Sequence, residues 1–326
     1  MRGAEMTCYP GGPRLLADVG GTNARFAIET APLQFEKVQV LACSDYPSLG
    51  AAVKAYFAGI GSACGEIRHA AVAIANPVDG DVVSMTNHHW SFSIAALRYE
   101  LGLDALSVVN DFTALAMALP YLTPAHRVQV GGGVPVPNRT VGLIGPGTGL
   151  GVSGIVPFGQ HWVPLASEGG HASFAPGDEQ EIAILRDLSR EFGHVSAERL
   201  LSGPGIEMIY RALSGQSLPA AEVTRRALAG ECGDSLRALE CFCAVLGSVA
   251  GNVALTLGAT GGMYIGGGIV PRLLGMFERS PFRARFEAKG RLAGYVARIP
   301  TYVITEQYPA FLGVSAILSE QLAAQH

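Results

Sequence analysis

The sequence predicts an α/β protein, and three observations support this prediction. Short apolar runs alternate with stretches of helical periodicity along most of the 326 residues. Hydrophobic residues make up 49% of the chain and charged residues 15%, and the 42 glycines suit a sheet with many tight turns. A pair of apolar runs around a Gly/Thr turn occurs twice, which indicates either two related halves or a chance recurrence of glycine turns.

The first of these hairpins lies near the N-terminus. Two apolar runs, Leu15 to Val19 and Phe26 to Ile28, flank the turn Gly20-Gly21-Thr22-Asn23, a pattern typical of a β-hairpin. We expect unusual, glycine-dependent backbone angles at this turn. Its successive N–H groups, the Thr22 hydroxyl and the Asp18 carboxylate suit a phosphate and its magnesium ion. An ordinary hairpin with structural glycines is the alternative.

The other elements are predicted from the spacing of apolar residues. Before residue 123 they are a helix at Tyr46 to Phe57, a strand at Ala70 to Ala75, an extended stretch at Val82 to Asn87, a strand at Ala105 to Val109 and a helix at Thr113 to Leu122. After residue 170 they are helices at Asp178 to Phe192, Gly205 to Leu213, Ala221 to Ala229 and Asp234 to Leu257, strands at Met263 to Ile265 and Tyr302 to Ile304, and a helix at Ala310 to Ala323.

The second hairpin is predicted at Val141 to Val156. Its apolar runs flank Gly147-Thr148-Gly149, and Thr148 takes the place that Thr22 has in the first turn. A duplication would put one phosphate-binding turn in each half, facing each other across a cleft. The run from Gly149 to Gly154 has the dinucleotide-type glycine spacing, but we predict a strand there. A Rossmann site needs a helix at that point, so we exclude NAD binding.

The chain is long enough for about two domains. No Pro/Ser-rich linker marks a boundary, which we place between residues 110 and 125. We predict a small N-terminal α/β domain at 1–121 and a large α/β domain at 122–309. A C-terminal helix at 310–326 is expected to pack back on the first domain.

The composition argues against several classes of function. A net charge of −4 and a pI near 6.1 give no long-range attraction to nucleic acid or to an anionic membrane, so we expect a small-molecule partner. The cysteines include no Cys-x-x-Cys pair, which favours a reduced cytoplasm over a disulfide framework or a zinc site. They are Cys8, Cys43, Cys64, Cys232, Cys241 and Cys243. The first dozen residues do not have the pattern of a signal peptide, and we expect them to be loose.

The stretch from Cys241 to Pro271 has no charged residue and is long enough to cross a bilayer. Its glycines, including the run at 266–268, would interrupt a membrane-spanning helix. We therefore predict a buried helix, a turn and a buried strand.

Lysine-based nucleotide motifs are missing from the sequence. The only lysines are Lys37, Lys54 and Lys289, and none follows a glycine as a P-loop requires. The protein-kinase set also fails, because its strand lysine and its His-Arg-Asp loop are absent. Any nucleotide must therefore be held by backbone amides and hydroxyl groups.

Two polar groups are candidates for contact with a second substrate. Asn110-Asp111 follows a predicted strand and begins a helix, which is where open α/β sheets bind ligands. Asp111 could accept the proton of an attacking hydroxyl that Asn110 orients, or it could simply cap the helix. Glu168, His171 and Glu198 could hydrogen-bond the hydroxyls of a sugar, while an exposed turn or a glycosidase-type acid pair are the alternatives.

These motifs, taken in order, resemble the bacterial glucokinase family of the hexokinase and actin-like ATPase superfamily, from about Leu15 to Leu318. The motifs that carry the resemblance are Asp18-Val-Gly-Gly-Thr-Asn-Ala-Arg25, Asn110-Asp-Phe112, Gly145-Pro-Gly-Thr-Gly-Leu-Gly151, Glu168-Gly-Gly-His171, Ser196-Ala-Glu-Arg-Leu-Leu-Ser-Gly-Pro-Gly205 and Gly266-Gly-Gly-Ile-Val-Pro-Arg272. The zinc-containing repressor and kinase branch of sugar kinases is a poorer match, because its cysteine cluster is missing.

The resemblance implies an actin-like, ribonuclease-H-like fold, with two duplicated domains around a cleft that closes on the substrate. It also implies a cytoplasmic enzyme, with a homodimer expected, that phosphorylates the 6-hydroxyl of D-glucose with ATP and Mg²⁺. Carried over by position, Asp111 is the catalytic base, and Asn110, Asp111, Glu168, His171 and Glu198 are the glucose ligands. Asp18 lies near the magnesium, through water. The nucleotide-binding residues are Asp18, Gly20, Gly21, Thr22, Asn23, Gly147, Thr148, Gly149, Gly261, Gly262, Gly266 and Gly267.

Two other functions stay open. The nearer is a kinase of the same fold for mannose, fructose or N-acetylglucosamine. The farther is a non-catalytic sugar-sensing regulator, which would need a DNA-binding helix or a basic patch. The most basic stretch, Arg279 to Arg291, is interrupted by Glu287, and we interpret it as a solvated helix face. The doubled histidine in His88-His89-Trp90 departs from the family pattern.

Overall fold

The computed structural model describes residues 12–61, 65–86 and 88–324. The predictions for Cys8, Cys64, Asn87 and the first eleven residues lie outside the described residues. Contacts between residues divide the chain into two compact units. The first unit comprises Met1–Tyr121 and Gln307–His326, and the second comprises Leu122–Glu306.

Strands and helices alternate along both units. The strands are β1 Arg14–Val19, β2 Asn23–Ala31, β3 Gln34–Ala42, β4 His69–Ile74, β5 Val82–Ser84, β6 Ser91–Ser93, β7 Ala105–Asn110, β8 Arg127–Val130, β9 Val141–Pro146, β10 Leu150–Phe158, β11 His161–Pro164, β12 Met263–Ile265 and β13 Thr301–Ile304. The α-helices are α1 Leu49–Ile60, α2 Ile94–Glu100, α3 Asp111–Ala118, α4 Glu179–Leu188, α5 Gly203–Ser214, α6 Ala220–Leu228, α7 Gly233–Leu257, α8 Leu274–Phe277, α9 Phe282–Glu287, α10 Ala293–Val296 and α11 Pro309–Ala323.

The first unit is built on a five-stranded sheet in the order β3-β2-β1-β4-β7. Alternate residues of β1 face opposite sides of this sheet, as the two-residue period of a strand requires. Leu16 packs in a cluster with Ala114 of α3 and Phe311 of α11. Leu15 packs on the other side with Val53 of α1. The sheet is therefore covered on both faces, and the C-terminal helix belongs to this unit.

The second unit is built on a six-stranded sheet in the order β11-β10-β9-β12-β13-β8. Its largest core cluster joins residues of β9, β12 and β13 to helices α4 to α7 and to α9. Helix α7 lies at the centre of this cluster, where Phe242, Leu246 and Ala250 are fully buried. These apolar contacts fix the sheet that carries the second Gly/Thr turn.

The two sheets repeat one topology. In each, the first strand of a hairpin pairs antiparallel with the next strand, β1 with β2 and β9 with β10. The same first strand pairs parallel with a later strand, β1 with β4 and β9 with β12, and a second parallel strand follows as β7 or β13. The recurrence of the hairpin is therefore not a coincidence of glycine turns, because the strands around it recur as well. The predicted duplication is confirmed.

Both predicted hairpins are confirmed, as are the strands at β4, β7, β12 and β13. The strand at β10 also confirms that no Rossmann-type helix begins at Gly149. Helix α1 begins at Leu49, later than the predicted Tyr46, because the Ser48 hydroxyl accepts a hydrogen bond from the Ala51 amide and caps it there. The predicted extended stretch at 82–87 is a strand only over Val82–Ser84.

The uncharged stretch from Cys241 to Pro271 includes the last part of α7, a turn at 258–262 and the buried strand β12, as predicted. Among the described residues, α7 is long and apolar enough to cross a membrane. Two thirds of its most apolar window, 67%, is buried inside the protein, as in the core helix of a globular domain.

The prediction of a solvated helix face at Arg279 to Arg291 was wrong. Only Phe282–Glu287 is α-helical, and both Phe282 and Phe286 are fully buried. The Arg283 guanidinium donates to the carbonyl oxygens of Ala297 and Ile299. The Arg285 guanidinium donates to the buried Glu181 carboxylate at 2.9 Å. Arg283 and Arg285 are therefore structural, since they hydrogen-bond oxygen atoms of other segments, whereas Arg279 and Arg291 are exposed.

Candidate active site

The first Gly/Thr turn joins β1 to β2 in the first unit. The Gly20 amide donates to the Asn23 carbonyl at 2.9 Å and closes the turn, and the Thr22 side chain is exposed. Neither Gly20 nor Gly21 has a positive φ. The expectation of unusual backbone angles here was therefore wrong. An added Cβ at Gly20 would come no closer than 3.6 Å to its nearest described neighbour, so the turn itself does not require this glycine.

Cys43 hydrogen-bonds the backbone of this turn, and this role was not predicted from the sequence. The Cys43 amide donates to the Thr22 carbonyl at 2.8 Å, and the fully buried thiol donates to the Gly20 carbonyl at 3.4 Å. Because a peptide N–H points away from the carbonyl of its own plane, these bonds direct the Gly21 and Asn23 amides to the opposite side. No local pattern marks Cys43, since it reaches the turn only through the pairing of β2 with β3.

Asp18 lies one residue before the end of β1 and pairs with Arg25 across the hairpin. The register places the two residues opposite each other, and the Arg25 guanidinium donates to Asp18 Oδ2 at 2.9 Å. Burial raises the pKa of the Asp18 carboxyl, and the charge of Arg25 works in the opposite direction. The pairing was readable from the hairpin spacing, although no role was predicted for Arg25.

Asn110 ends β7, and Asp111 begins α3. The helix cap is Asn110 and not Asp111, because Asn110 Oδ1 accepts from the amides of Phe112 and Thr113. This corrects the alternative in which Asp111 served as the cap. Asp111 Oδ1 accepts from the Phe112 amide at 2.9 Å and from Asn110 Nδ2 at 3.0 Å. One oxygen of the carboxylate is thus fixed by the helix start.

The pKa of the Asp111 carboxyl is raised by its surroundings. Burial, together with a smaller effect of the nearby negative charge of Asp18, raises this pKa to about 6. The Phe112 amide opposes this change only in part. A carboxylate in this range is ionised at neutral pH and retains appreciable basicity, which is the property of a general base.

Asn76 is a third polar residue at the same edge of the sheet, and sequence reasoning missed it. The parallel register aligns Val19 with Ile74 and Ile74 with Asn110, so the carboxyl ends of β1, β4 and β7 meet there. Asn76 is buried, its carbonyl accepts from Asn110 Nδ2 at 3.4 Å, and its Oδ1 accepts from the Thr86 amide at 3.0 Å. It therefore links the site edge to the loop after β5.

The second Gly/Thr turn joins β9 to β10 in the second unit. The Gly147 amide donates to the Gly149 carbonyl at 2.8 Å, and Thr148 is exposed, as Thr22 is in the first turn. Gly147 has no positive φ, and an added Cβ there would meet none of the described atoms within 4 Å. At Gly149, in contrast, a Cβ would collide with the carboxylate of Glu198.

The structure brings together Glu168, His171 and Glu198. His171 lies between the two carboxylates, with Nε2 3.9 Å from Glu168 Oε2 and Nδ1 3.9 Å from Glu198 Oε1. All three side chains reach solvent, with exposed fractions of 73%, 59% and 32% in the order named. The predicted polar cluster therefore exists, on a short 3₁₀ turn at Gly169–His171 and on another at Ala197–Arg199.

Backbone pairing holds this cluster in place. The Ala197 amide donates to the Ala172 carbonyl at 2.9 Å, which sets the segment before Glu198 beside the segment after His171. Gly169 and Gly170 let the first segment lie directly on β10, since an added Cβ at Gly170 would collide with the Leu150 carbonyl. The double glycine of this motif is thus required by close packing.

Four of the predicted nucleotide-binding glycines, Gly261, Gly262, Gly266 and Gly267, lie at opposite ends of β12. Gly266 donates to the Ile144 carbonyl at 2.8 Å, and Gly267, with φ +77°, lies against Pro146, next to the second Gly/Thr turn. Gly261 instead donates to the Thr140 carbonyl, and Gly262 accepts from the Gly142 amide, at the start of β9. The structure brings Gly266 and Gly267 together with Gly147 to Gly149 and does not bring Gly261 and Gly262 to them.

Comparison with known proteins identifies the relatives of this chain. Residues 15–321 match the glucokinase family. The chain is 57% identical over 329 aligned residues to the bifunctional protein glk of Burkholderia pseudomallei, an alignment that covers 99% of this chain and 51% of that protein. It is 57% identical to the glucokinase of Chromobacterium violaceum, with 95% of this chain and 90% of that protein covered. The chain thus spans about half the length of the first, bifunctional relatives that it matches.

A solved structure gives the same result for the fold. The crystal structure of a glucokinase from an Antarctic psychrotroph superposes with a TM-score of 0.87 and 36% sequence identity, covering 95% of this chain and 99% of that chain. This likeness confirms the predicted actin-like α/β fold class, and the family match confirms the resemblance found in the sequence motifs. The chain belongs to the glucokinase family.

Proposed function

We propose that this chain transfers the terminal phosphoryl group of ATP to the 6-hydroxyl of D-glucose. The observation that carries the proposal is the Asp111 carboxylate. It stands at the carboxyl edge of a sheet, with burial and a neighbouring carboxylate raising its pKa to about 6. The family relationship gives the substrate class, since the relative from Chromobacterium violaceum is named a glucokinase.

Asp111 has the role of the general base in this proposal. One oxygen, Oδ1, is fixed by the Phe112 amide and by Asn110 Nδ2, which orients the carboxylate. The other oxygen, Oδ2, is the atom that we assign to accept the hydroxyl proton. Phosphoryl transfer needs little covalent chemistry from the protein. This proton acceptor and the correct positioning of the reactants therefore supply much of the rate acceleration.

The two Gly/Thr turns are the proposed phosphate-binding parts. Gly20 and Gly147 have neither a positive φ nor a described neighbour that a Cβ would strike. A glycine that the fold itself does not require fits a site where a ligand approaches the backbone closely. The exposed hydroxyls of Thr22 and Thr148 and the amides of both turns are donors for phosphate oxygens, and such fixed donors stabilise the transferring group.

Magnesium enters this scheme as part of the nucleotide substrate. Mg²⁺ on a nucleotide is usually held by one or two carboxylates together with phosphate oxygens and waters. Asp18 fits this role, because Arg25 occupies its Oδ2 and leaves Oδ1 to bind an ion-bound water. No group of three or more His, Cys, Asp or Glu ligands exists among the described residues to form a separate metal cage. The ion would neutralise charge on the phosphates.

Glu168, His171 and Glu198 are the proposed sugar ligands of the second unit, and Asn110 and Asp111 those of the first. The imidazole and the two carboxylates of the second unit offer both donors and acceptors to vicinal hydroxyls. The Asn110 amide is already engaged in capping α3 and in holding Asp111. Its Nδ2 also donates to the Asn76 carbonyl at 3.4 Å, the longer of its two bonds, so this is the bond that a sugar hydroxyl would replace.

The test is ADP release in a coupled assay with purified chain, MgATP and a panel of hexoses. We expect glucose to give the highest kcat/KM, and Asp111→Ala to lower kcat by several orders of magnitude with a modest change in glucose affinity. A higher kcat/KM with mannose, fructose or N-acetylglucosamine than with glucose would identify that sugar as the substrate instead. No ADP release with any sugar, together with measurable sugar binding, would favour the non-catalytic regulator.

The assembly and location of the enzyme are also proposals. We infer a cytoplasmic homodimer that binds neither nucleic acid nor membrane, in agreement with the net charge of −4. Light scattering of the purified chain measures the mass of the particle, and a monomer at micromolar concentration would contradict the dimer.

A further inference from the structure

Glu198 contacts the predicted sugar site and the second Gly/Thr turn at the same time. Its Oε1 is 3.9 Å from His171 Nδ1, the central side chain of the sugar cluster. Its Oε2 accepts a hydrogen bond of 2.9 Å from the amide of Leu150, the residue that directly follows the turn. A single carboxylate thus spans the two sites within the second unit.

The segment that carries Glu198 braces the turn at both ends. The Gly203 amide donates to the Gly147 carbonyl at 2.9 Å, at the start of the turn. The Glu198 carboxylate occupies the space beside Gly149, at the end of the turn. The Ser202 hydroxyl donates to the Glu198 carbonyl at 2.9 Å and also caps helix α5. It thus links the turn that carries Glu198 to the helix start that carries Gly203.

The segment that carries His171 also contacts the carbonyl group of the same residue, Leu150. Gly170, in the turn that positions His171, packs against the Leu150 carbonyl so closely that a Cβ would collide with it. Leu150 is therefore held through its amide by Glu198 and through its carbonyl by the His171 turn. A change in the position of either sugar-binding segment is transmitted directly to the end of the phosphate turn.

We propose that Glu198 positions the second phosphate-binding turn and couples sugar binding to nucleotide binding. The inference rests on the proposed function, because it assigns the turn to phosphate and the cluster to sugar. A sugar hydroxyl on Oε1 restricts the carboxylate, and the restricted carboxylate holds the Leu150 amide and the turn in one arrangement. The nucleotide then binds to a turn that is already ordered, and the coupling acts equally in the reverse direction.

Glu168 provides a matched control for Glu198. Its carboxylate is 3.9 Å from the other nitrogen of His171, so the two glutamates face the imidazole at equal distances. Glu168 makes no hydrogen bond to residues 147–150 in the described structure. Loss of either carboxylate removes a sugar ligand, but only loss of Glu198 releases the turn.

The experiment is isothermal titration of full-length wild type, Glu198→Ala, Glu198→Gln and Glu168→Ala with MgADP, in the absence and in the presence of saturating glucose. Without glucose, Glu198→Ala should bind MgADP about tenfold more weakly, because a charge-assisted hydrogen bond to the turn is lost. Glu198→Gln should stay within about threefold of wild type, because the amide oxygen still accepts from Leu150. Glu168→Ala should bind MgADP as wild type does.

The pattern across the variants separates the proposal from a general loss of structure. Glucose affinity should fall in all three variants, and the factor by which glucose tightens MgADP binding should approach one only in Glu198→Ala. Equal MgADP affinity of Glu198→Ala and wild type in the absence of sugar would overturn the inference and leave the proposed function in place. Wild-type protein that binds no MgADP would overturn both. If Glu198→Ala is unfolded by circular dichroism, Glu198→Asp takes its place, because its shorter side chain keeps the charge but does not reach the Leu150 amide; equal MgADP affinity of Glu198→Asp and wild type would then overturn the inference.

Discussion

Replacing Asp111 by asparagine should abolish the proposed activity and stabilise the protein in the same variant. The buried site raises the pKa of the Asp111 carboxyl from 3.8 to about 6. At about 1.4 kcal/mol for each pKa unit, the ionised side chain destabilises the folded state by about 3 kcal/mol. Asparagine has the same shape and keeps an oxygen for the Phe112 amide, but it carries no charge to be desolvated.

The pH dependence of this effect follows from the sign of the pKa change. Above a pH of about 6 the carboxyl is ionised in both states, and the folded state bears the full penalty. As the pH falls from about 6 to about 4, the folded protein takes up its proton first and the penalty disappears. The stability gain of Asp111→Asn should therefore be about 3 kcal/mol near pH 8 and less than about 1 kcal/mol near pH 4. In wild type, kcat/KM should decline below a pH of about 6 as the base is protonated.

Urea unfolding followed by tryptophan fluorescence measures this gain in the first unit. The chain has two tryptophans, Trp90 and Trp162, and only the buried Trp90 belongs to the unit that contains Asp111. A Trp162→Phe background makes the fluorescence report on that unit. Asp79→Asn, at an exposed loop position, is the matched control and should change the stability by less than about 0.5 kcal/mol. A gain that is equal at both pH values, or no gain near pH 8, would refute the argument that desolvation of Asp111 sets its pKa.

Three further changes test other parts of the structure. Thr148→Val should lower kcat while glucose affinity, measured by titration with glucose alone, stays unchanged; a parallel loss of glucose affinity would place Thr148 at the sugar. Gly267→Ala should destabilise the protein by at least about 1–2 kcal/mol in urea unfolding because of its left-handed backbone and its contact with Pro146. Gly268→Ala, which has room for a Cβ, is the control, and equal stabilities would contradict this packing. Arg285→Met should cost about 3–5 kcal/mol because it removes the ion-pair partner of the buried Glu181 carboxylate, and a loss below about 1 kcal/mol would contradict this structural role of Arg285.

The elements that sequence analysis found are those whose side chains are buried in a regular pattern. Strands β1, β4 and β9 were predictable because both faces of their sheets are covered, which produces short continuous apolar runs. Strand β3 was missed because it lies at the sheet edge and most of its residues are exposed or half-buried. The exposure of helix α9 was wrongly predicted because arginine is usually a surface residue. The carboxylates that pair with Arg285, those of Asp178 and Glu181, lie about one hundred positions away in the chain.

The site was predictable where the chemistry is local in sequence and was missed where it depends on pairing between distant segments. Asp111, Glu198 and both Gly/Thr turns belong to short motifs that can be read directly. Cys43 and Asn76 belong to no such motif, since each reaches its partners only through the register of neighbouring strands.

The duplicated topology gives the two proposed phosphate-binding turns the same location in their sheets but different supporting contacts. Each turn follows the first strand of its hairpin. In the first turn, Cys43 donates hydrogen bonds to the carbonyl oxygens of Gly20 and Thr22. Glu198 and Gly203 hold the two ends of the second turn. The thiol of Cys43 is fully buried and contacts no proposed ligand, whereas the carboxylate of Glu198 is open to solvent beside His171. In our proposal we therefore assign the order of the first turn to the fold alone, and the order of the second turn to the occupant of the neighbouring sugar cluster.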